Sequence, residues 1–206
     1  MNSPGLILSF TISFGLLLIA MTAHEFAHGM VAYKLGDPTA RNSGRLTFNP
    51  LAHIDLFWTI ILPFTLFLST AGSFVFGAAK PVPINYWALK NPKRDIIWIG
   101  LAGPLANFIL AFIIAQLLRF VNQESIFSHL FFNFMTINVV LAVFNLIPIP
   151  PLDGSRVLIG ILPVNLSRKY AALERYGFII LFVFMWLGIF DRLLWPAVNF
   201  VIKILS

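Results

Sequence analysis

The pentapeptide His24-Glu25-Phe26-Ala27-His28 has the residue types and the spacing of a metal-dependent hydrolytic site. Side chains four residues apart lie on one face of a helix, so His24 and His28 can bind one zinc ion together. Zinc would lower the pKa of a bound water molecule to about 7. The adjacent Glu25 could then take the water's proton as a general base and pass it to a leaving amine. The motif therefore indicates hydrolysis of amide bonds.

The alternative is a chance match, in which the histidines are interfacial or core residues and Glu25 pairs with a lysine or arginine. The position of Glu25 weighs against this alternative. Glu25 lies about ten residues before Lys34, or roughly 15 Å along a helix from the basic end of the first apolar stretch. An ionisable group at that depth in a membrane costs several kcal/mol, so it indicates a functional site.

Two histidines leave a catalytic zinc site one protein ligand short, because such sites normally have three. The segment Asn145-Leu146-Ile147-Pro148-Ile149-Pro150-Pro151-Leu152-Asp153-Gly154 can supply the third, since its prolines end an apolar stretch and precede one carboxylate. On its own, an Asp-Gly pair after prolines is typical of a turn. Asp153 becomes a ligand candidate if the chain brings it to the side of the membrane where His24 and His28 lie.

The composition excludes a water-soluble fold. Of the 206 residues, 59% are hydrophobic and 11% are charged, against roughly 25% charged in soluble domains. The net charge of +6 would suggest a nucleic-acid partner in a soluble protein, but here the basic residues lie in short loops beside apolar stretches and set membrane topology. Cysteine is absent, so any metal ligands must be His, Asp or Glu.

Three apolar stretches are long enough to cross a hydrocarbon core, which needs about 20 residues: 5–33, 96–118 and 127–147. Two further segments, 56–76 and 171–190, are less regular. We therefore expect an all-α polytopic membrane protein, folded as a single membrane-embedded domain over the whole chain. We expect a core of three transmembrane helices around the zinc site, two to three further helical or re-entrant segments, and short extended interfacial segments.

The distribution of Lys and Arg predicts the orientation of these spans. The loops after the first span, before residue 96 and after Pro151 are rich in basic residues, so all three should be cytoplasmic. The loop 119–128 is poor in them and should lie outside. The span 127–147 would then run inward and deliver Asp153 to the side where the His24 and His28 end of the first span lies.

This orientation leaves one question of connectivity. The segments 34–55 and 77–95 can share a side only if 56–76 is re-entrant or if 34–55 threads back through the protein. We favour a re-entrant 56–76.

Together the two motifs resemble the site-2 protease family of intramembrane zinc metalloproteases, whose signature pairs H-E-x-x-H with a later N-x-x-P-x-x-x-L-D-G-like element. The resemblance extends to Gly103-Pro104-Leu105-Ala106-Asn107 and to Lys80-Pro81-Val82-Pro83, and covers about residues 20 to 155. Larger family members add a PDZ domain or a nucleotide-sensing domain, for which we expect no room in these 206 residues.

The resemblance implies a role for each motif residue. His24, His28 and Asp153 would bind one zinc ion per chain, Glu25 would be the catalytic base, and Asn145 would position substrate or stabilise the oxyanion. It further implies three core spans around the zinc, with a hydrated path to the cytosol. We expect a membrane-protein substrate, a location in the plasma membrane and, from the basic loops, an active site nearer the cytoplasmic side.

Other polar residues allow more than one reading. His53 and Asp55 could be a second pair of metal ligands, but a helix-start or interfacial role is favoured. Asn107 and Asn138 could hydrogen-bond between helices or line a water path, with Asn107 a second layer around the metal at most. Glycines beside Asn107, including Gly103, would allow close helix packing.

Two short segments, 45–49 and 80–85, are extended in character. A helical substrate must unwind before its amide can reach a metal, and an exposed strand edge can pair with the unwound backbone. One of these segments could be that edge, and the alternative is an ordinary interfacial loop.

A competing function is a membrane transporter or metal-binding protein that uses the same four residues to hold a cation. A transporter would need polar groups across both halves of the bilayer. The outer half of the first span, from Gly5 to Ala20, offers only Ser9, Thr11 and Ser13. A site open from one side fits hydrolysis better.

Overall fold

The computed structural model describes residues 3–71, 75 and 77–205, and none of these residues forms a β-strand. The prediction of an all-α protein is confirmed. The α-helices are α1 (Ser3–Lys34), α2 (Thr39–Asn42), α3 (Leu62–Ser69), α4 (Pro92–Leu118), α5 (Ile126–Asn145), α6 (Asp153–Ile161), α7 (Val164–Ala171), α8 (Gly177–Trp186) and α9 (Ile189–Leu205). Short 3-10 turns cover Pro50–His53, Tyr86–Ala88 and Ala172–Tyr176, and a π-helical segment covers Leu56–Ile61.

Three helices in the described part of the chain are long and apolar enough to cross a membrane. They are α1 from Ile7 to Lys34, α4 and α5, and they match the three predicted spans. The segment Val164–Trp186 and α9 would add a fourth if this pair, bent by 83°, counts as one span. The length and composition of these helices therefore indicate a multi-pass membrane protein.

Many large apolar side chains are exposed in this structure, and several polar side chains of the long helices are buried beside its apolar core. Large apolar side chains such as Ile109 and Phe112 point outward from α4, whereas polar side chains lie inside. The buried polar residues of the three long helices include Thr22, His24, His28, Asn107 and Asn138. Apolar surface outside suits contact with lipid, and buried polar groups in a membrane indicate a functional interior.

The central helix is α4, which packs against α1, α5 and α6. An apolar cluster joins α4, α5 and α9 through residues such as Ile114, Met135, Val139 and Val198. Gly100 of α4 lies against the start of α6, where an added Cβ would come 3.0 Å from the carbonyl oxygen of Asp153. The close packing of α4 thus places the first residue of α6 beside the face of α1 that carries the histidines.

The predicted segment 56–76 is not one long helix. Its π-helical part begins after Asp55, whose carboxylate accepts hydrogen bonds from the backbone N–H groups of Phe57 and Trp58. Six π-helical residues and the eight residues of α3 follow, fewer than the roughly 20 that cross a bilayer. Residues 72–74 and 76 lie outside the described residues, and the re-entrant path stays a prediction.

The predicted segment 171–190 also differs in detail. It begins as a 3-10 turn, continues as α8, and stops at Gly188, whose φ of 67° requires the left-handed region that glycine readily adopts. The chain turns sharply there into α9. The short helices α6 and α7 lie between the predicted segments, where the sequence analysis predicts no separate element.

The two segments expected to be extended have different conformations. Residues 46–48 form bends, whereas 80–85 run without helix or strand along the protein. The second segment is tied to the first through Arg45, whose guanidinium donates to the carbonyl oxygen of Lys80 at 2.7 Å. The second segment offers few free N–H groups, because residues 81 and 83 are prolines and the N–H groups of Lys80, Val82 and Asn85 are already bonded.

Candidate metal centre and active site

His24, His28 and Asp153 converge at one buried point. The two histidines project from consecutive turns of α1, and Asp153 is the first residue of α6. Oδ2 of Asp153 lies 3.0 Å from Nε2 of His24 and 3.1 Å from Nε2 of His28, and the two Nε2 atoms are 3.0 Å apart. In the described part of the chain, this is the one group of at least three His, Asp or Glu side chains arranged to hold a metal ion.

The outer nitrogen of each imidazole donates a hydrogen bond. Nδ1 of His28 lies 2.6 Å from the backbone carbonyl oxygen of Ile99, which can only accept. Nδ1 of His24 lies 2.6 Å from Oδ1 of Asn107. The Asn107 amide is oriented by its Nδ2 group, which donates to the carbonyl oxygen of Ala20 at 3.2 Å and to Oδ1 of Asn138 at 2.9 Å.

Asn138 completes this chain of hydrogen bonds. Its Nδ2 group donates to the backbone carbonyl oxygen of Phe134 at 2.9 Å, so its Oδ1 atom must face Asn107. Both asparagines are fully buried. A carbonyl of α5 thereby determines, through two amides, which nitrogen of His24 carries the proton, an arrangement common around metal-binding histidines.

This hydrogen bonding fits a metal ion. With both Nδ1 atoms protonated, the two neutral imidazoles direct Nε2 lone pairs at the same point as the Asp153 carboxylate. Three electron-pair donors 3.0–3.1 Å apart repel one another unless a cation lies among them. Two imidazoles and one carboxylate are a donor set typical of catalytic zinc with a position left open.

Gly103 allows α4 to approach this centre. An added Cβ at this position would overlap the imidazole rings of both His24 and His28. Glycine is therefore needed here for space and not for backbone conformation. Gly103 was expected to allow close helix packing, and the groups that it packs against are His24 and His28 of α1.

Glu25 lies beside the three ligand candidates in a cavity of about 150 Å³. Its Oε2 atom accepts a hydrogen bond from the backbone N–H of Val82 at 2.8 Å, and its other oxygen has no hydrogen-bond partner among the described residues. Asn145 lines the same cavity, and its Nδ2 group donates to the carbonyl oxygen of Leu141 at 2.9 Å. One carboxylate oxygen and part of an amide thus remain available to a substrate.

A larger cavity of about 460 Å³ also reaches His24 and Glu25. Its walls come from α1, the segment 77–81, the end of α5, and α8, and most of its lining is apolar. An apolar cavity with a few convergent polar groups is typical of a substrate site.

The remaining candidates lie outside the metal cluster. The His53 side chain bonds to the carbonyl oxygen of Thr47 at 2.9 Å, and Asp55 begins the π-helical segment, so neither joins the three ligand candidates. One cavity residue, Arg156, is absent from the sequence predictions. Its position three residues after Asp153, on the same helix face, is the signal that could have found it.

Long apolar helices, a buried group of two histidines and one aspartate suited to zinc, and an adjoining glutamate are together typical of membrane metalloproteases. The family comparison agrees, since the model of Peptidase family M50 matches residues 12–124 and 121–188. This chain belongs to Peptidase family M50, the site-2 protease family, which confirms the resemblance. It is a zinc metalloprotease of that family.

Several curated proteins that are similar to this chain are named as zinc metalloproteases. YwhC of Bacillus subtilis (strain 168), provisionally named a zinc metalloprotease, is 38% identical over 89% of this chain and 84% of its own length. Rip2 of Mycolicibacterium smegmatis, named in the same way, is 29% identical over 82% of this chain, which spans 64% of that relative. Zinc metalloprotease MJ0392 of Methanocaldococcus jannaschii is 36% identical over 41% of this chain and 24% of its own length. No solved structure matches the chain.

Proposed function

We propose that this chain is a zinc metalloendopeptidase that hydrolyses peptide bonds of membrane-spanning or membrane-adjacent proteins within the bilayer. The observation that carries the proposal is the buried convergence of two imidazoles and one carboxylate beside Glu25. Residues of three apolar helices, His24 of α1, Asn107 of α4 and Asn145 of α5, lie at or beside this point, which supports cleavage within a membrane domain. We propose the plasma membrane as the location, and the basic loops support an active site nearer the cytoplasmic side.

His24, His28 and Asp153 would hold the zinc ion. When bound, zinc supplies Lewis acidity that polarises the scissile carbonyl and makes water a good nucleophile at neutral pH. The free carboxylate oxygen of Glu25 takes a proton from the attacking water and delivers it to the leaving nitrogen. The bond from Val82 fixes the direction of this carboxylate. The Asn145 amide donates to the substrate carbonyl oxygen as negative charge develops there.

The segment 77–81 is the proposed edge for the unwound substrate. The N–H of Ala78 bonds to Trp58 and the N–H of Lys80 bonds to His53, at 3.1 and 2.9 Å. Alternate residues of an extended chain face opposite ways, so Ala79 faces away from these partners. Its N–H and C=O have no partner among the described residues, and it lines the larger cavity. A substrate backbone can pair with Ala79 on the way to Glu25.

The test compares the wild-type protein with Glu25→Gln in detergent, using a panel of single-span peptides and measuring bound zinc in both. We expect cleavage by the wild type alone and equal zinc in both, because the substitution removes the base and keeps the ligands. Glu124→Gln, in the exposed loop before α5, is the control and should cleave normally. Absence of zinc from the wild type, or cleavage by Glu25→Gln at the wild-type rate, would contradict the proposal. Zinc in both proteins with no peptide cut would fit either a substrate outside the panel or the transporter.

A further inference from the structure

Arg156 lines both cavities of the active site. It lies on α6 three residues after Asp153, so both side chains project from the same helix face. The smaller cavity also contains His24, Glu25 and His28, and the larger one also reaches Glu25. A permanent positive charge therefore borders the space that a substrate would occupy.

Tyr86 holds the guanidinium in place. Nη1 of Arg156 donates a hydrogen bond to the Tyr86 hydroxyl, and Cζ of Arg156 lies 5.5 Å from the centre of the Tyr86 ring. Burial raises the pKa of the Tyr86 hydroxyl, an effect that Arg156 only partly offsets. Tyr86 therefore stays neutral at physiological pH, and it orients Arg156 without neutralising the charge.

Arg156 has no carboxylate partner in the described part of the chain, where the ion pairs within 4.0 Å are those of Asp153 with the two histidines. None of the nearby carboxylates described in the structure forms an ion pair with Arg156. Asp153 faces the histidines, Glu25 directs one oxygen at Val82 and leaves the other free, and the exposed Glu174 lines the larger cavity beyond 4.0 Å from Arg156. A half-buried guanidinium without an anion is costly, and a ligand carboxylate would offset that cost.

We propose that Arg156 binds a carboxylate of the peptide substrate close to the scissile bond, so that the protease selects substrates with an acidic group there. This inference rests on the proposed peptidase function. A guanidinium can bind a carboxylate through two parallel hydrogen bonds, which gives both affinity and direction. The carboxylate can come from an Asp or Glu side chain, or from the free C-terminus of an already cleaved substrate.

The protein contains a natural control for this arrangement. Arg41 donates to the Tyr33 hydroxyl and lies 5.2 Å from the centre of the Tyr33 ring, as Arg156 does with Tyr86. Arg41 is exposed and lines neither active-site cavity. A substitution of Arg41 removes an equivalent Arg–Tyr pair without touching the proposed subsite.

The experiment measures peptide binding to the zinc-loaded Glu25→Gln protein, which separates recognition from cleavage. The probes are single-span peptides in which one glutamate, or a glutamine in its place, is moved along the sequence, each made with a free and with an amidated C-terminus. We expect one register in which glutamate binds at least about tenfold more tightly than glutamine, the low end for a hydrogen bond to a charged group. If the C-terminus is the recognised group, amidation causes that loss instead.

Variants of Arg156 then assign the preference. Arg156→Gln should abolish it, Arg156→Lys should retain part of it, and Arg156→Glu should favour peptides with lysine in that register. Arg41→Gln should leave it unchanged, and bound zinc should be equal in all the proteins. Equal affinity for acidic and amide peptides in every register would overturn the inference even if the wild type cleaves them. Persistence of the preference in Arg156→Gln, or loss of zinc in both Arg156→Gln and Arg156→Lys, would also overturn it.

Discussion

The two sides of the metal centre differ in how completely their polar groups are paired. On the side of α4 and α5, His24, Asn107 and Asn138 form a buried chain of hydrogen bonds that ends on a backbone carbonyl. On the side of the cavities, Glu25 keeps one free oxygen and Arg156 has no acidic partner among the described residues. The paired groups on the first side can hold a metal ion in one geometry. The unpaired groups on the second side are free to form hydrogen bonds with a substrate during a reaction.

The difference follows from the positions of the helices. The paired side lies between long helices that exclude water, where an unpaired polar group would cost several kcal/mol. The cavity side is bordered by the segment 77–81 and the start of α6, which leave open space. Substitutions on the paired side should therefore change metal affinity, and substitutions on the cavity side should change catalysis at constant metal content.

The largest effect should come from Asp153→Ala, which removes the one charged ligand. We expect zinc affinity to fall by more than about a thousandfold, because a buried ion loses its carboxylate and gains no replacement. Activity should disappear with the zinc. Competition with a chelator measures the affinity, and Asp191→Ala, at an exposed site on α9, is the control. Retention of wild-type zinc affinity by Asp153→Ala would remove Asp153 from the ligand set.

Asn145→Ala tests the cavity side. We expect kcat to fall about 100-fold, as for the loss of one oxyanion donor, with zinc content unchanged. Peptide cleavage and metal analysis on the same preparation separate the two quantities. If zinc is lost in proportion to activity, Asn145 belongs with the metal-holding groups and the contrast between the two sides would be wrong at this position.

Asn107→Ala tests the paired side in the same way. We expect zinc affinity to fall about 10- to 100-fold, because His24 loses the partner that orients its ring. Asn138→Ala should have a smaller effect in the same direction, since it acts through Asn107. Asn133→Ala is a matched control on α5, because Asn133 bonds to Ser13 of α1 at 2.9 Å without touching a histidine. Equal losses for Asn133→Ala and Asn107→Ala would indicate general helix packing.

The smallest of these effects is expected from Gly103→Ala. The added methyl group overlaps both imidazoles, and relief of such overpacking costs about 1–3 kcal/mol. With one methyl group we expect the lower end, about 1 kcal/mol, or about fivefold weaker zinc binding. Gly15→Ala, on α1 with no heavy atom within 4 Å of the added Cβ, should bind zinc normally. Unchanged affinity in Gly103→Ala would show that the two helices separate easily at this point.

Much of the fold could be predicted because a bilayer imposes simple rules. Long apolar stretches gave α1, α4 and α5 to within a few residues. The less regular segments were predicted less well, since 56–76 contains a π-helical part and α3, and 171–190 is divided at Gly188. Short helices after Asp153 carry too few apolar positions to be recognised without their packing partners.

The sequence alone determined the chemistry available to this protein. Its lack of cysteine limited the metal ligands to His, Asp and Glu, and the spacing of His24 and His28 placed two of them on one helix face.

Only the tertiary structure decided which distant groups complete the site. It brought Asp153 to the histidines, linked His24 to Asn138 through Asn107, and placed Arg156 at the cavity. The physical reason is that spacing fixes neighbours within a helix, whereas contacts between helices depend on how closely they pack. That closeness is set at positions such as Gly103, whose partners lie more than 70 residues away.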